Sequence, residues 1–318
     1  MKTAFTRRVV WLIALVVASK AQANPRECEN SAWSEPVNLG PVVNSPVFDS
    51  AATLSADGLS LYFVSNRAGG VGLTDIWVSQ RDCADCPWEL PFNLTVVNSK
   101  ADDGAPSLSI DGHLLFFHSS REGGHGGFDI WVSYRVNPND DLGWETPTNL
   151  GPEVNTAASE FSPDYVQTAD FYLERAGNVP ANAAALYFGR GPDANNQDIY
   201  TAPITRDGET LGPAVPVDDL NTATQDAAPS VSTDRKEVLF WSLRPGGLGM
   251  GDIWVSTRRN VHEPWSKPEN VGPPLNTAFN DVRPNLSRSG RTLLFDSNRP
   301  GGLGSQDIWM STRMPGCR

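Results

Sequence analysis

The chain has 318 residues, of which 39% are hydrophobic and 19% charged, with 28 Gly, 25 Pro and a formal net charge of -12. This acidic balance excludes nucleic acid and anionic membrane surfaces as expected partners. It is compatible with cationic ligands, metal ions or neutral sugars. Abundant Gly and Pro with few Lys are typical of a turn-rich β protein.

The first 23 residues have the pattern of a secretory leader. Lys2, Arg7 and Arg8 precede the apolar run 9–18, and Ala21-Gln22-Ala23 has the small-residue spacing of a cleavage site. The sequence therefore predicts a signal peptide over 1–23 and a single domain over 24–318, with a net charge of -16 once the four leader cations are lost. No later stretch is long enough to span a bilayer. We expect a monomeric periplasmic or secreted protein with no integral membrane segment after cleavage.

A five-fold internal repeat dominates the remainder. The string Asp-Ile-Trp, or Asp-Ile-Tyr once, starts at Asp75, Asp129, Asp198, Asp252 and Asp307. An Arg lies eight residues before each of these acids, at Arg67, Arg121, Arg190, Arg244 and Arg299. Such periodicity indicates identical supersecondary units that bury their apolar faces against one another.

The second copy shows how each repeat should fold. Turn signals separate strand A near Pro106–Ile110, strand B at His113–Ser119, strand C at Phe128–Tyr134 and strand D near Trp144–Leu150. Asp111-Gly112 is typical of a tight A–B hairpin. Four antiparallel strands with a period near fifty residues describe a propeller blade. The five copies therefore predict an all-β, five-bladed β-propeller.

The two ends of the repeat array predict how the ring closes. Residues 33–39 form a lone strand D, whereas the last repeat stops after strand C, so the N-terminal strand should complete the final blade. Cys28 and Cys317 would then meet at this seam and form a disulfide. For Cys83 and Cys86 a small local disulfide is favoured over a zinc half-site or a redox pair, because no second Cys or His pair accompanies them.

The third copy departs from the others. An insert, Gln167–Ala184, replaces its A–B turn, and Leu211-Gly212-Pro213 stands where the other copies have a Trp before strand D. Strand direction places the D–A connections and B–C loops on one face, here called the top face. The A–B hairpins and C–D loops lie on the opposite, bottom face, together with the insert and the Cys83–Cys86 loop.

The repeats resemble a known family. The motif Leu-Ser-x-Asp-Gly-x-x-Leu-x-Phe-x-Ser-x-Arg-x-Gly-Gly-x-Gly-x-x-Asp-Ile-Trp, best seen at Leu54–Trp77, Leu108–Trp131 and Leu286–Trp309, is similar to the WD40-like (PD40) repeats of TolB-type propellers. The resemblance covers residues 33–313 and implies the fold. It is less specific for function, since such propellers serve as scaffolds, binding modules and enzyme domains. The sequence lacks the extra N-terminal α/β domain of TolB and the C-terminal peptidoglycan-binding domain of some envelope proteins.

Each D–A connection contains an Asn followed five residues later by an acid. The pairs are Asn44/Asp49, Asn98/Asp103, Asn155/Glu160, Asn221/Asp226 and Asn276/Asp281. Because each acid precedes an innermost strand, we expect the five carboxylates to surround the mouth of the central channel. They would either form a site for an amine, a sugar or a cation such as calcium, or accept backbone N–H bonds from the neighbouring blade. Phe48 and Phe279, where the connections vary, are candidate ligand contacts. No other cofactor is predicted.

The Arg and Asp of each B–C loop are interpreted as structural ion pairs that pin the glycine-rich loop. The predicted pairs are Arg67/Asp75, Arg121/Asp129, Arg190/Asp198, Arg244/Asp252 and Arg299/Asp307. A phosphate cradle would need a helix N-terminus after such a loop, and no helix is expected. The Trp of each repeat should pack between blades.

Two functions are consistent with these patterns. The repetition favours a non-catalytic propeller that binds an envelope or secreted protein, or a glycan, through the top face. The alternative is a carbohydrate-active enzyme of the glycoside hydrolase kind that uses two channel-mouth carboxylates as acid and as base or nucleophile. Its candidate residues are Glu160, Asp103, Asp49, Asp226 and Asp281, with Glu160, in the deviant third repeat, the best candidate acid.

Overall fold

A computed structural model describes residues 33–167 and 183–314 of the chain. These residues form twenty β-strands in five four-stranded antiparallel sheets, and this part of the chain contains no helix that could cross a membrane. Each sheet is one blade of a five-bladed β-propeller, as the repeat predicts. The blades follow the chain, and strands A of successive blades are neighbours at the centre.

The strands of blades one to three are as follows. Blade one contains β2 (Asp49–Leu54), β3 (Ser60–Ser65), β4 (Asp75–Gln80) and β5 (Phe92–Asn93), after β1 (Val37–Asn38). Blade two contains β6 (Asp103–Leu108), β7 (Leu114–Ser119), β8 (Asp129–Tyr134) and β9 (Thr148–Asn149). Blade three contains β10 (Ser159–Gln167), β11 (Ala183–Asp193), β12 (Asn196–Thr205) and β13 (Val215–Pro216).

Blade four contains β14 (Asp226–Val231), β15 (Glu237–Ser242), β16 (Asp252–Thr257) and β17 (Glu269–Asn270). Blade five contains β18 (Asp281–Leu286), β19 (Thr292–Ser297) and β20 (Asp307–Thr312), and its fourth strand is β1. Val37 pairs with Met310, and Asn38 with Trp309. The predicted closure of the ring by the N-terminal strand is therefore confirmed.

The outermost strands are shorter than the sequence predicts. Trp144–Leu150 was expected to be strand D of blade two, but only Thr148 and Asn149 belong to β9. Pro147 directly precedes this strand, and a proline has no N–H to donate to the neighbouring strand. Trp144 instead forms an isolated bridge with Arg135 and lies beneath its guanidinium, 4.3 Å away.

The core lies between the blades rather than within them. Five buried clusters each combine residues of two adjacent blades. The cluster at the seam joins Leu61 and Trp77 of blade one to Leu294 and Ile308 of blade five. The repeated Trp side chains thus pack between blades as predicted, and no blade can bury its apolar faces alone.

Blade three departs from the repeat where the sequence indicates it should. β10 and β11 extend well beyond their counterparts, and most of the predicted insert, residues 168–182, lies outside the described residues. Cys83 and Cys86 form a disulfide in the C–D loop of blade one, with Cα atoms 5.0 Å apart, so the predicted local bridge is confirmed. The signal peptide and the predicted seam disulfide between Cys28 and Cys317 also lie outside the described residues.

Candidate functional site: the top face and the central channel

The five acids at the start of the innermost strands are completely buried. Asp49, Asp103, Glu160, Asp226 and Asp281 each have 0% of their surface exposed. Each forms an ion pair with the Arg at the end of strand B of its own blade, at 2.5–2.9 Å; Arg190 lies within β11, and the other four lie two residues beyond their strands. They do not present carboxylates to the mouth of the channel, so the expected ring of ligand-binding acids is not formed by these side chains.

Each acid is also saturated by donors from its own D–A connection. Asp49 accepts hydrogen bonds from the backbone N–H and the hydroxyl of Ser45, and Asp281 from those of Thr277. The structural interpretation of the acids is therefore correct in kind, but the donors belong to the connection itself and not to the next blade. For Glu160, burial raises the pKa of the carboxyl in spite of Thr156 and Arg190. The arginine keeps this carboxyl ion-paired.

The predicted pairing of each Arg with the Asp of Asp-Ile-Trp is wrong. Arg67 contacts Asp49 and not Asp75, and the same holds for Arg121, Arg190, Arg244 and Arg299 with their own acids. Strand register does not separate the two acids, because Ser65 lies opposite Asp49 on one side and opposite Asp75 on the other. Each guanidinium also lies 4.4–5.5 Å from two aromatic rings, one on strand B and one on strand C.

The Asp of Asp-Ile-Trp holds the glycine-rich loop through backbone hydrogen bonds. Asp75 accepts from the N–H of Val71 and Gly72, and Asp252 accepts from Leu248 and Gly249. The loop is thus pinned, as expected, without an ion pair. Blade three has no such loop, since β11 and β12 are joined by a tight hairpin, and Asp198 lies beyond it.

The repeated Asn residues clamp the strand C of their own sheet. The side-chain amide of Asn98 accepts from the N–H of Ile76 and donates to its carbonyl, and the other four Asn make the same pair of bonds with the Ile of their own sheet, at 2.7–3.0 Å. Asn44 makes it with Ile308, which ties the N-terminal segment to the last strand. Both repeat-invariant polar residues of the D–A connection are therefore scaffold.

A β-bulge interrupts each innermost strand. The residues at the bulge have positive φ: Ala51, Ala105, Ser162, Ala228 and Arg283, at +47° to +50°. Four of the five side chains are small. Arg283 is the exception, and it belongs to a polar group with Ser50 and Asp296 that no other blade has.

The channel ends at the bottom face in an open polar depression of about 500 Å³, counting its solvent-filled part. All five innermost strands line it. Arg288 crosses from blade five to donate to the carbonyl of Leu108 in blade two, at 2.8 Å. Burial raises the pKa of Asp164 to about 7, against the opposing effects of the Val231 N–H and Arg288. Asp164 accepts that N–H at 2.8 Å, a role that Ser107 and Ser230 perform at equivalent positions.

The top face carries an asymmetric set of exposed apolar side chains, here called the apolar arc. Its members are Val47, Val71, Leu73, Leu248, Met250, Phe279 and Leu303, which are 39–79% exposed. They belong to the B–C loops of blades four, five and one and to the connections between these blades. The loop segments 245–251, 300–306 and 68–74, and the connection segments 277–280 and 45–48, contain no charged residue.

The apolar arc is continuous because each B–C loop rests on the next D–A connection. A Cβ on Gly249 would lie 1.9 Å from the carbonyl O of Phe279, and one on Gly304 would lie 1.8 Å from that of Val47. Blades two and three break the arc, since Glu122 and His125 occupy the loop of one and Asp193 and Asn195 that of the other. Of the two Phe residues predicted as ligand contacts, Phe279 belongs to the arc and Phe48 is half-buried beside it.

Sequence reasoning missed the channel polar group, the bottom depression and most of the apolar arc. The arc has a sequence signal, since Leu, Met or Val occupies the positions between glycines in three loops and not in the other two. Among the residues that the structure describes, no cluster of three or more His, Cys, Asp or Glu could hold a metal ion. The predicted channel-bound cation remains a prediction.

Comparison with known proteins supports the fold. No family model and no curated protein matches the sequence. An α-L-arabinofuranosidase from Lactobacillus brevis superposes with a TM-score of 0.53 and 13% identity, over 87% of this chain and 92% of that one. An exo-β-1,3-galactanase from Phanerochaete chrysosporium, solved with galactose, gives 0.56 and 12% over 87% of this chain, which spans only 64% of the longer enzyme.

A TolB-like protein from Agrobacterium tumefaciens gives a TM-score of 0.48 and 18% identity, over 89% of this chain and 85% of that one. The identities of the two enzymes establish a shared fold and nothing about ligands. The strand topology confirms the propeller that the PD40 resemblance implies. Membership of that repeat family has no support from a matching family model.

Proposed function

We propose that this chain is an exported, non-catalytic β-propeller that binds a protein partner through its top face. The observation that carries the proposal is the apolar arc, an uncharged strip of exposed hydrophobic side chains across three adjacent blades. Exposed apolar patches that are rimmed by polar residues are typical of protein-binding surfaces. The leader-like N-terminus and the Cys83–Cys86 disulfide support a periplasmic or secreted location.

The chemistry of the arc indicates the kind of partner. Interface centres are depleted in charged residues and enriched in aromatic residues and Met, and the arc has both properties. Met250 and Phe279 are its adaptable and aromatic members. The partner surface should therefore be apolar and uncharged, since charges placed against the arc would lose their hydration without a counter-charge.

The burial of the candidate acids also supports a binding role. A catalytic carboxylate must reach its substrate, whereas all five predicted carboxylates are enclosed and ion-paired with Arg. Strict repetition of these groups gives no distinct acid and base.

Co-purification tests the proposal. The full chain, tagged and produced in its own cell envelope, should retain one stoichiometric partner. Leu248→Ser, Met250→Ser and Phe279→Ser together should abolish that retention. The matched control replaces Leu90, Val136 and Met314, which are 73–82% exposed and follow strands C on the bottom face, by Ser and should leave it intact. Equal loss in both triple variants, or in neither, would contradict the proposal.

A second candidate function is glycoside hydrolysis, which the arabinofuranosidase and galactanase among the similar structures favour. Glycoside hydrolysis requires a pair of accessible carboxylates. Either two acids other than the five buried ones supply it, or the ion pairs between the buried acids and their Arg partners must break to expose it. Incubation of the purified protein with arabinan and β-1,3-galactan tests it directly. Turnover that disappears in a folded Glu160→Gln or Asp103→Asn variant would replace the binding proposal.

A further inference from the structure

Arg283 breaks the pattern of the channel lining. The residue at the bulge is Ala in blades one, two and four and Ser in blade three, but Arg in blade five. A long cationic side chain therefore starts from the innermost strand at a position where every other blade has a small one. The positive φ of +50° at this residue costs an Arg no less than an Ala, so backbone geometry does not explain the exchange.

The guanidinium of Arg283 is only partly engaged. Its Nη1 lies 3.3 Å from Ser50 Oγ and 3.4 Å from Asp296 Oδ2, which are long contacts for charged groups. Within residues 33–167 and 183–314, neither its Nε nor its Nη2 makes a hydrogen bond that would fix it. The side chain is 35% exposed, although it starts from an innermost strand.

Asp296 does not depend on Arg283 for its hydrogen bonds. It is buried, and it accepts from the hydroxyl of Ser50 and from the N–H of Ala51 at 2.9 Å. Burial raises the pKa of Asp296 to about 6. Asp296 is therefore held in place independently of Arg283. It contacts only Nη1 of the guanidinium, and the edge formed by Nε and Nη2 stays available.

His118 holds in blade two the strand position that Asp296 holds in blade five. Burial, with a smaller contribution from the charge of Arg283, lowers the pKa of His118 to about 3. Its Nδ1 accepts the N–H of Ser162 at 3.1 Å, and its ring is edge-on to Phe161. His118 therefore adds no charge to the interior of the propeller.

We propose that Arg283 is the anchor of a ligand site in the channel for a small monocarboxylate. The free Nε and Nη2 edge of a guanidinium matches a carboxylate in a planar, two-bonded geometry. A phosphate dianion fits less well. Its two charges would meet a single cation that is already shared with Asp296, in a chain whose net charge is -12. This site is separate from the apolar arc and does not rest on the function proposed above.

Ligand-observed NMR titration of the full chain at pH 7 tests the site with D-galacturonate and D-galactose, which differ in the carboxylate. Inorganic phosphate is the third probe. We expect galacturonate to bind. Galactose should bind at least about tenfold more weakly, because it lacks the carboxylate that forms the charged hydrogen-bond pair. Phosphate should also bind at least about tenfold more weakly, because it does not match the planar edge of the guanidinium. Arg283→Ala should reduce galacturonate binding by the same factor.

The Ala variant should fold, since three other blades carry Ala at this position with the same backbone conformation. Arg283→Lys, which retains the charge but not the fork, should bind with intermediate affinity. Arg259→Ala is the control, since Arg259 is 89% exposed on the bottom face. Equal binding of galacturonate and galactose, unchanged binding by Arg283→Ala, or no galacturonate binding by the wild type at millimolar concentration would each overturn the assignment.

Discussion

Replacing Asp103 by Asn should destabilise the propeller strongly, because Asp103 is scaffold. The carboxylate is fully buried and accepts hydrogen bonds from Arg121 Nη2 and the Ser99 N–H, both at 2.5 Å. Asn keeps the volume and one acceptor but removes the charge. Arg121, 13% exposed between Phe117 and Trp131, would then lack its counter-ion.

Removal of one partner from a buried ion pair costs about 3–5 kcal/mol. The residual exposure of Arg121 places the expected loss near the lower value, about 3 kcal/mol, or a fall in Tm of roughly 6–12 °C for a chain of this size. Urea unfolding followed by Trp fluorescence measures it. Arg259→Ala, which breaks the exposed pair with Glu263, should cost no more than about 0.5 kcal/mol. A free energy of unfolding for Asp103→Asn within that margin of wild type would refute the scaffold assignment.

Three further changes test other parts of the structure. Asp164→Asn should be more stable than wild type at pH 8 and equal to it near pH 3. The carboxyl of Asp164 has a pKa of about 7 in the folded protein and about 4 in the unfolded chain, so only the folded state keeps the proton between these values. The stability of the wild type therefore falls as the pH rises from about 4 to about 7. A stability gap independent of pH would contradict this. Gly304→Ala should lower the Tm, because its Cβ would lie 1.8 Å from the carbonyl O of Val47. Gly40→Ala is the control: its Cβ meets no atom within 4 Å, so it reports only the cost of a positive φ. Equal losses of Tm in the two variants would contradict the contact. Asn44→Ala should raise hydrogen exchange at Ile308, its partner across the seam, and unchanged protection there would argue against closure by this segment.

The sequence was sufficient to predict the blades and the closure of the ring. Turn signals recur in the same order in each repeat, and a lone strand at one end complements a missing strand at the other. The partner of Arg67 could not be predicted from strand register, because Asp49 and Asp75 both lie opposite Ser65. The N–H groups of Val71 and Gly72 occupy the carboxylate of Asp75, and Arg67 pairs with the acid 18 residues away instead.

The channel could not be predicted in the same way. A bulge that holds an Ala at positive φ leaves no signature in composition, so residue 283 could not be assigned to a bulge of an innermost strand. The burial of the five acids was likewise invisible, because the same pattern of Asn and acid is compatible with an exposed ring of carboxylates. Both depend on how the blades pack together.

The most direct test of the top-face binding role is site-specific photo-crosslinking in the native cell envelope. A photoreactive amino acid at position 279, within the apolar arc, should form one defined adduct with a protein partner. The same probe at position 90, in the C–D loop of blade one on the bottom face and more exposed, should form none. Identical adduct patterns from the two positions, or an adduct from position 90 alone, would contradict binding through the apolar arc.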